Sequence, residues 1–264
     1  MSLSIALATY NEENNIKDCL VSVKQIADEI VIVDGQSQDK TAQIAQEFGA
    51  KVFSVPNNPH FHHNKQLAIN NCQHDWILQL DADERVSPQL SQEIKRLFKQ
   101  KQIDQFSAYY IPRCNYFLGK FLKKGGAYPD PVIRLFRKNK AKFNQDQIID
   151  NGITTANVHA QLVIDGKIGS LSNDLIHYGD VNISGYFKRL NRYTSLEAQN
   201  LAKLNKKVTF VNYFIGLPIY WFLKRFLRHK GFVDGYQGFL FALFSSLHYP
   251  IIWIKLKQLK LSSL

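Results

Sequence analysis

The residues best placed to do chemistry are Asp81-Ala82-Asp83, which follow the apolar run Trp76–Leu80. In an extended segment, side chains two apart point the same way. Two carboxylates on one side suit a hard divalent cation such as Mn or Mg. Such a cation would neutralise a diphosphate and stabilise it as a leaving group. The simpler alternative is an acidic helix start, because a helix is expected from Pro88 and acids favour helix N-termini. Two further polar strand ends weigh against that alternative: Thr9-Tyr10-Asn11-Glu12, and Asp34 followed by Gly35-Gln36-Ser37-Gln38-Asp39-Lys40-Thr41. Neither is a P-loop or a GxGxxG turn, which excludes a glycine-rich phosphate cradle. Asp39 reads as a helix N-terminal acid. His60, His62 and His63 have no cysteine or carboxylate at zinc spacing and read as loop residues.

The elements that must position these groups alternate. Leu3–Ala8, Glu29–Asp34, Lys51–Val55 and Trp76–Leu80 are predicted strands. Helices are predicted over 14–24, 40–48, 64–71 and 88–101. This order implies an α/β fold: a mostly parallel, Rossmann-like sheet with helices on both faces. Ligands then collect at the carboxyl ends of the strands, where the acidic residues stand. Strands are also predicted at Phe106–Pro112 and Val132–Phe136, a hairpin around Asp165-Gly166, and a long helix over Ser184–Leu204. The expected division is a domain over 1–180 and a helical region with amphipathic helices over 181–264.

Charge is unevenly distributed. Residues 201–264 hold ten Lys/Arg and one acid, Asp234, while the remainder of the +11 chain is nearly balanced. The basic residues border two uncharged runs, Val208–Leu223 and Tyr236–Ile254, and every flank is basic. A spanning hairpin opposes the positive-inside preference. In-plane helices on an anionic membrane surface fit better, and nucleic acid is excluded as a partner because no polar basic groove is formed. Cys19, Cys72 and Cys114 lack a disulfide framework. The start of the chain shows no signal peptide. The expected location is cytoplasmic, peripheral on the inner face of the cytoplasmic membrane.

Together the motifs Thr9-Tyr10-Asn11-Glu12-Glu13, Val33-Asp34-Gly35 through Thr41, Asn64-Lys65-Gln66-Leu67-Ala68 and Asp81-Ala82-Asp83-Glu84-Arg85 resemble glycosyltransferase family 2, inverting enzymes of the GT-A fold. Ile111-Pro112-Arg113, Asn115 to Gly119, Gly125-Gly126, Tyr128-Pro129-Asp130, Ile133 to Arg137, His177-Tyr178 and Asn191-Arg192-Tyr193 look like the lipopolysaccharide-core-type subgroup, which adds glucose or a similar sugar. The resemblance implies a nucleotide-sugar donor, a UDP-sugar, and a lipid-linked or cell-envelope glycan acceptor. It places Thr9, Asn11, Glu12, Asp34 and Lys65 around the nucleotide. Asp34 would accept from the base, and Lys65 would face base or diphosphate. Asp81 would contact sugar or ribose, or share the metal with Asp83. Arg134 and Arg137 would pair with phosphate, for which guanidinium geometry is suited; a solvated strand edge is the bland alternative for both.

One departure stands out. An inverting transfer needs a base for the acceptor hydroxyl. Similar sequences read Val-His-Glu where this chain has Val158-His159-Ala160. Three explanations are open: an engineered inactive variant, another base (Asp130, then His159), or a protein that binds a sugar nucleotide without turnover. The otherwise intact acidic set favours the first. A structural, hydrogen-bonded role for His159 is as good as a catalytic one. A nucleotidyltransferase would need a glycine-rich basic loop, which Thr9–Asn15 is not.

Overall fold

A computed structural model describes residues 2–57, 61–143 and 162–262. His60, His159 and Ala160 lie outside the described residues. The elements run β1 (Leu3–Thr9), α1 (Glu13–Val23), β2 (Glu29–Asp34), α2 (Thr41–Glu47), β3 (Lys51–Ser54), α3 (Phe61–Asn71), β4 (Trp76–Leu80), β5 (Glu84–Val86), α4 (Pro88–Lys99), β6 (Ala108–Phe117), β7 (Lys120–Phe121), β8 (Asp130–Arg137), β9 (Ala141–Phe143), β10 (Leu162–Ile164), β11 (Ile168–Ser170), β12 (Leu175–Asp180), α5 (Ile183–Lys203), α6 (Leu217–Leu223) and α7 (Tyr236–Ser262). The main sheet has the order β3-β2-β1-β4-β8-β6-β12-β5. Its first four strands are parallel, and β8 then pairs antiparallel to β4.

Two compact units divide the chain. One holds the residues up to Arg113 together with 131–143 and 162–177; the other holds Cys114–Asp130 and the residues from Tyr178 onward.

In the first unit the strand period of two explains the two-faced core. Leu3, Ile5 and Leu7 of β1 pack with Ile16, Cys19 and Leu20 of α1 and with Leu90 and Ile94 of α4. Ala6 of β1, with Val31 and Val33 of β2, packs against Ala68, Ile69 and Cys72 of α3 on the opposite face. Successive side chains of a strand face opposite ways, so one apolar run supplies both cores. Far from the acidic strand ends, buried Glu29 accepts from Ser4 Oγ (2.6 Å), Lys51 Nζ (2.8 Å) and Gln73 N (2.8 Å), fixing the start of β2. Helix α4 starts where the sequence predicts. Ser87 accepts from Leu90 N at 3.1 Å, and Pro88 occupies the first turn, where no N–H is needed. Ser87→Ala is expected to cost about 1 kcal/mol in a urea melt; an unchanged midpoint would show that the cap contributes nothing.

The expected hairpin around Asp165-Gly166 is not formed. β10 pairs with β9, and β11 pairs parallel to β6. The turn's backbone is held by other segments: Asp165 N donates to Lys140 O (2.8 Å), and Ser107 N donates to Lys167 O (2.8 Å). Gly166, at φ +119, lies so close to Ser107 Oγ that a β-carbon would collide with it.

In the second unit α5 and α7 pack together through Ala198, Leu201, Ile252 and Leu256. Between them in the chain, the first uncharged run is no single regular helix: Asn212–Gly216 and Lys224–Arg228 are π-helical turns flanking α6. Among the described residues, the stretch Tyr236–Leu261 of α7 is long and apolar enough to cross a membrane, and 28% of its apolar window is buried in the protein.

Candidate active site

Strand register gathers the polar ends. Thr9 pairs with Asp34 and Leu7 with Leu80, so the ends of β1, β2 and β4 share one edge of the sheet. Asn11 and Gln36 both adopt positive φ (54° and 58°), which turns the two loops toward each other. The loops are joined by Asn11 N to Ser37 Oγ (2.9 Å), Gln38 N to Asn11 Oδ1 (2.9 Å), Glu12 N to Thr41 Oγ1 (2.7 Å) and Glu13 N to Asp39 Oδ2 (3.1 Å). Asp39 therefore ties both loops as well as opening α2. Asp34 is buried. It accepts from Thr9 Oγ1 (3.0 Å), Ser37 Oγ (2.6 Å) and Ser37 N (2.8 Å). A carboxylate offers about four acceptor positions, so one remains for a ligand donor.

The acidic turn after β4 is heavily compensated. Asp81 Oδ1 is paired with Lys65 Nζ of α3, and its Oδ2 accepts from Arg134 Nη2 at 2.6 Å. Arg134 comes from β8, where Leu135 pairs with Leu78, and it also binds Gln79 Oε1 (2.6 Å) and Glu84 Oε1 (2.8 Å). Glu84 is fully buried, accepts from Asp81 N at 2.9 Å and has Arg113 at 3.5 Å. Burial works against an ionised Asp81, but the Arg134 and Lys65 cations outweigh it and hold its carboxyl far below the ordinary range. Burial likewise opposes charge on Arg134, and Asp81 and Glu84 reverse the balance upward. Asp81 thus has both oxygens on cations. Lys65, expected to face the base or the diphosphate, is here a partner of Asp81.

Asp83 is the carboxylate left facing a different donor. β12 runs antiparallel to β5 with His177 opposite Glu84, and His177 Nε2 lies 3.3 Å from Asp83 Oδ2. Glu93 of α4 holds the approach to β12 by accepting from Ser172 N (3.0 Å), Asn173 N (3.0 Å) and Asn173 Nδ2 (2.8 Å). Burial raises the cost of charging Asp83, and the hydrogen bond and charge of His177 more than offset it, so its carboxyl titrates below the usual value. Glu12 moves the other way: burial pushes it up, Asn15 pulls it down in part, and Asp83 and Asp81 add repulsion.

Among the described residues no three His, Cys, Asp or Glu side chains form a metal cage. The Asp83 oxygen and His177 nitrogen nonetheless make a two-donor set. Mg-type ions are commonly held by one or two protein groups while substrate phosphates and water complete the shell; an O/N pair also suits Mn. The residues present therefore fit a divalent cation that arrives with a diphosphate.

Arg137 separates from this cluster. Arg137 pairs with Trp76, at the opposite end of β4. Five strand residues, about 17 Å, separate that position from Asp81. There its guanidinium binds Asp104 at 2.5 Å and lies over the Trp76 ring at 5.3 Å. Its assignment to the nucleotide is corrected: antiparallel pairing sends Arg134 to the acidic end and Arg137 away from it. Asp130 belongs to the second unit, where it accepts from Asn115 Nδ2 at 3.1 Å.

The residue reading gave no role to His177, Glu84 or Gln79. Gln79 carried a signal, a polar residue inside an otherwise apolar buried strand. Asn64, beside Lys65, is buried with no hydrogen-bond partner for Oδ1, an acceptor available to a bound donor group.

Comparisons with known proteins bear on the family and the fold. The profile described as Glycosyl transferase family 2 matches residues 4–161. An uncharacterized glycosyltransferase of Rickettsia typhi is 33% identical over 264 residues, which is 99% of this chain and 88% of that protein. The lipopolysaccharide core biosynthesis glycosyltransferase LpsC of Rhizobium meliloti is 26% identical, over 98% of this chain and 93% of its own. Among solved structures, the mannosyltransferase PcManGT from Pyrobaculum calidifontis, in complex with GDP-Man and Mn2+, aligns with a TM-score of 0.50 at 13% identity, covering 97% of this chain and 74% of that one. That likeness bears on the fold.

Proposed function

The chain belongs to glycosyl transferase family 2 and has the GT-A fold, and from that premise we propose that it moves a hexose-like sugar, with inversion, from a UDP-sugar to a lipid-linked or cell-envelope glycan. The observation that carries the donor half is the sheet edge where Asp83 and His177 lie 3.3 Å apart beside the Asp81–Lys65–Arg134 cluster. The same-fold mannosyltransferase was solved with a nucleotide sugar and Mn2+, which supports this donor and cation class. Likeness to a lipopolysaccharide core transferase along nearly the whole chain supports an envelope acceptor.

In this reading Asp34, with its one remaining acceptor position, receives the base, and Asn11 and Glu12 shape the nucleotide loop. Asp83 and His177 hold the divalent cation at the diphosphate. When bound, that ion supplies charge neutralisation for the leaving diphosphate. Arg134 and Lys65 fix the Asp81 carboxylate so that it meets the sugar or ribose in one orientation. Residues 1–180 form the catalytic domain. Residues 181–264 lie on an anionic membrane surface on the cytoplasmic side and bring the lipid-borne acceptor near.

A thermal-shift panel of nucleotide sugars with and without Mn tests the donor half. The melting temperature is expected to rise by several degrees with a UDP-sugar, more in the presence of Mn. Asp83→Asn is expected to lose the Mn-dependent increment and keep the fold. An increment that persists in Asp83→Asn would remove Asp83 from the metal site; no response to any nucleotide sugar would sink the proposed donor class. The second reading, a sugar-nucleotide binder without turnover, rests on Ala160: a donor response without sugar transfer favours it.

A further inference from the structure

The second unit contains a cavity of about 420 Å³ between α5, α6 and α7. Arg225 lines it. Its guanidinium sits over the Phe241 ring at 4.6 Å and near the Trp221 ring at 5.7 Å, and its Nη1 donates to Gly125 O at 3.2 Å. Its Nε is buried with no hydrogen-bond partner. Burial lowers the Arg225 pKa, against upward pulls that include Asp130. A guanidinium stays charged in proteins, and no carboxylate lines this cavity among the described residues.

The placement of Arg225 also gives a role to Gly125-Gly126, a pair the donor site does not use. Both adopt positive φ (69° and 71°), which favours glycine, and a β-carbon on Gly125 would only reach ordinary contact with Gly231 Cα at 3.5 Å and Phe241 Cδ1 at 3.7 Å. Gly125 N also donates to His229 O at 2.9 Å. These glycines bring the 125 carbonyl against the arginine without filling the space beside it.

A second lining guanidinium, Arg189, is paired with Asp180, and apart from Leu190 the rest of the lining is aromatic and weakly polar. Trp221 and Tyr249 stack at 6.2 Å, Ser245 also lines the space, and burial pushes the Tyr186 phenol up to about 12, so it stays a neutral donor. The one lining histidine, His248, is 2.8 Å from Glu197 and is thereby committed. Beyond the cavity, Ile219, Tyr220 and Leu223 of α6 and Leu247 and Ile254 of α7 are exposed. A half-buried cation with one unbonded donor, walled by rings and bordered by exposed aliphatic side chains, matches an anion carried on an apolar body.

We propose that this cavity binds the phosphate headgroup of a lipid, with the phosphate on Arg225 and the chain running over the exposed face of α6 and α7. The proposal concerns binding alone, so it stands or falls separately from donor chemistry. The test follows tryptophan fluorescence of the full chain during titration with dihexanoyl phosphatidic acid below its micelle concentration. A saturable change is expected that vanishes in Trp221→Phe, which retains Trp76 and Trp253. Arg225→Gln is expected to shift the midpoint at least about tenfold, as loss of a charge-assisted hydrogen bond does. Ser245→Phe, which fills the cavity and retains Arg225, is expected to abolish the response. Each variant is checked for native circular dichroism and an unchanged thermal response to the donor; should Arg225→Gln fail to fold, Ser245→Phe carries the test. Inorganic phosphate acting at the same concentration would overturn the lipid assignment. Hexyl glucoside acting as well as the phosphatidic acid would overturn the role of Arg225. No saturable change in the natively folded chain would overturn the site.

Discussion

Arg134→Ala is expected to destabilise the protein by about 3–5 kcal/mol, the cost of removing one partner from a buried ion pair. Arg134 is 9% exposed and bonds three groups: Gln79, Asp81 and Glu84. Without it, Glu84 is left fully buried with the Asp81 backbone N–H and a distant Arg113 at 3.5 Å. Asp81 retains Lys65 and loses the cation that does most to hold its carboxyl down. The loss therefore measures uncompensated charge, not the worth of the bonds. That distinction is testable. Arg134→Met combined with Glu84→Gln removes cation and anion together and is expected to recover more than half of the deficit, because a buried pair and an apolar substitute of similar volume are often nearly equivalent. The two changes should be strongly non-additive, as contacting residues are. Urea melts at constant slope read the difference. A loss below about 1 kcal/mol for Arg134→Ala would show that water reaches Glu84 and that the cluster is not electrostatically closed.

What the sequence makes legible follows from which signals are local. Glu29–Asp34 and Trp76–Leu80 are continuous apolar runs that end in acids, and fully buried parallel strands read that way. The convergence of Thr9, Asp34 and Asp81 at one edge then follows from parallel direction alone. Antiparallel pairing is a different matter, because its register is set by contacts distant in sequence. Arg134 and Arg137 are three apart and similar in local context; only the pairing of Leu135 with Leu78 sends one to the acidic turn and the other to Trp76. His177 reaches Asp83 through the β5–β12 pairing, and β5 is a three-residue strand inside what reads as a polar loop. Glu84 reads as an acid ahead of a helix, yet it is the fully buried hub that orients Asp81 and Arg134. The hairpin expected at Asp165-Gly166 fails for the same reason: the turn was visible, its partners Lys140 and Ser107 were not.

Ala160→Glu is expected to raise sugar transfer by about 10²–10⁴-fold, the usual contribution of a positioned general base. The argument is chemical. Inversion joins the acceptor oxygen to the anomeric carbon as the diphosphate departs, and the acceptor hydroxyl must give up its proton in that step. Alanine has no group to receive it. Two of the donor-site carboxylates are already engaged: Asp81 is held ionised by Lys65 and Arg134, and Asp83 is directed at His177. The gain should therefore appear in kcat with saturating acceptor, while the thermal response to donor and Mn changes little. The alternative base separates cleanly. If Asp130 already serves, Asp130→Asn in the unaltered chain should abolish transfer and Ala160→Glu should add little. If His159 serves instead, His159→Ala should abolish transfer; if none of these positions matters and the donor still binds, the chain is a sugar-nucleotide binder. A rate unchanged by Ala160→Glu alongside a donor response that stays intact would thus remove the missing base as an explanation and leave those outcomes, which Asp130→Asn and His159→Ala distinguish.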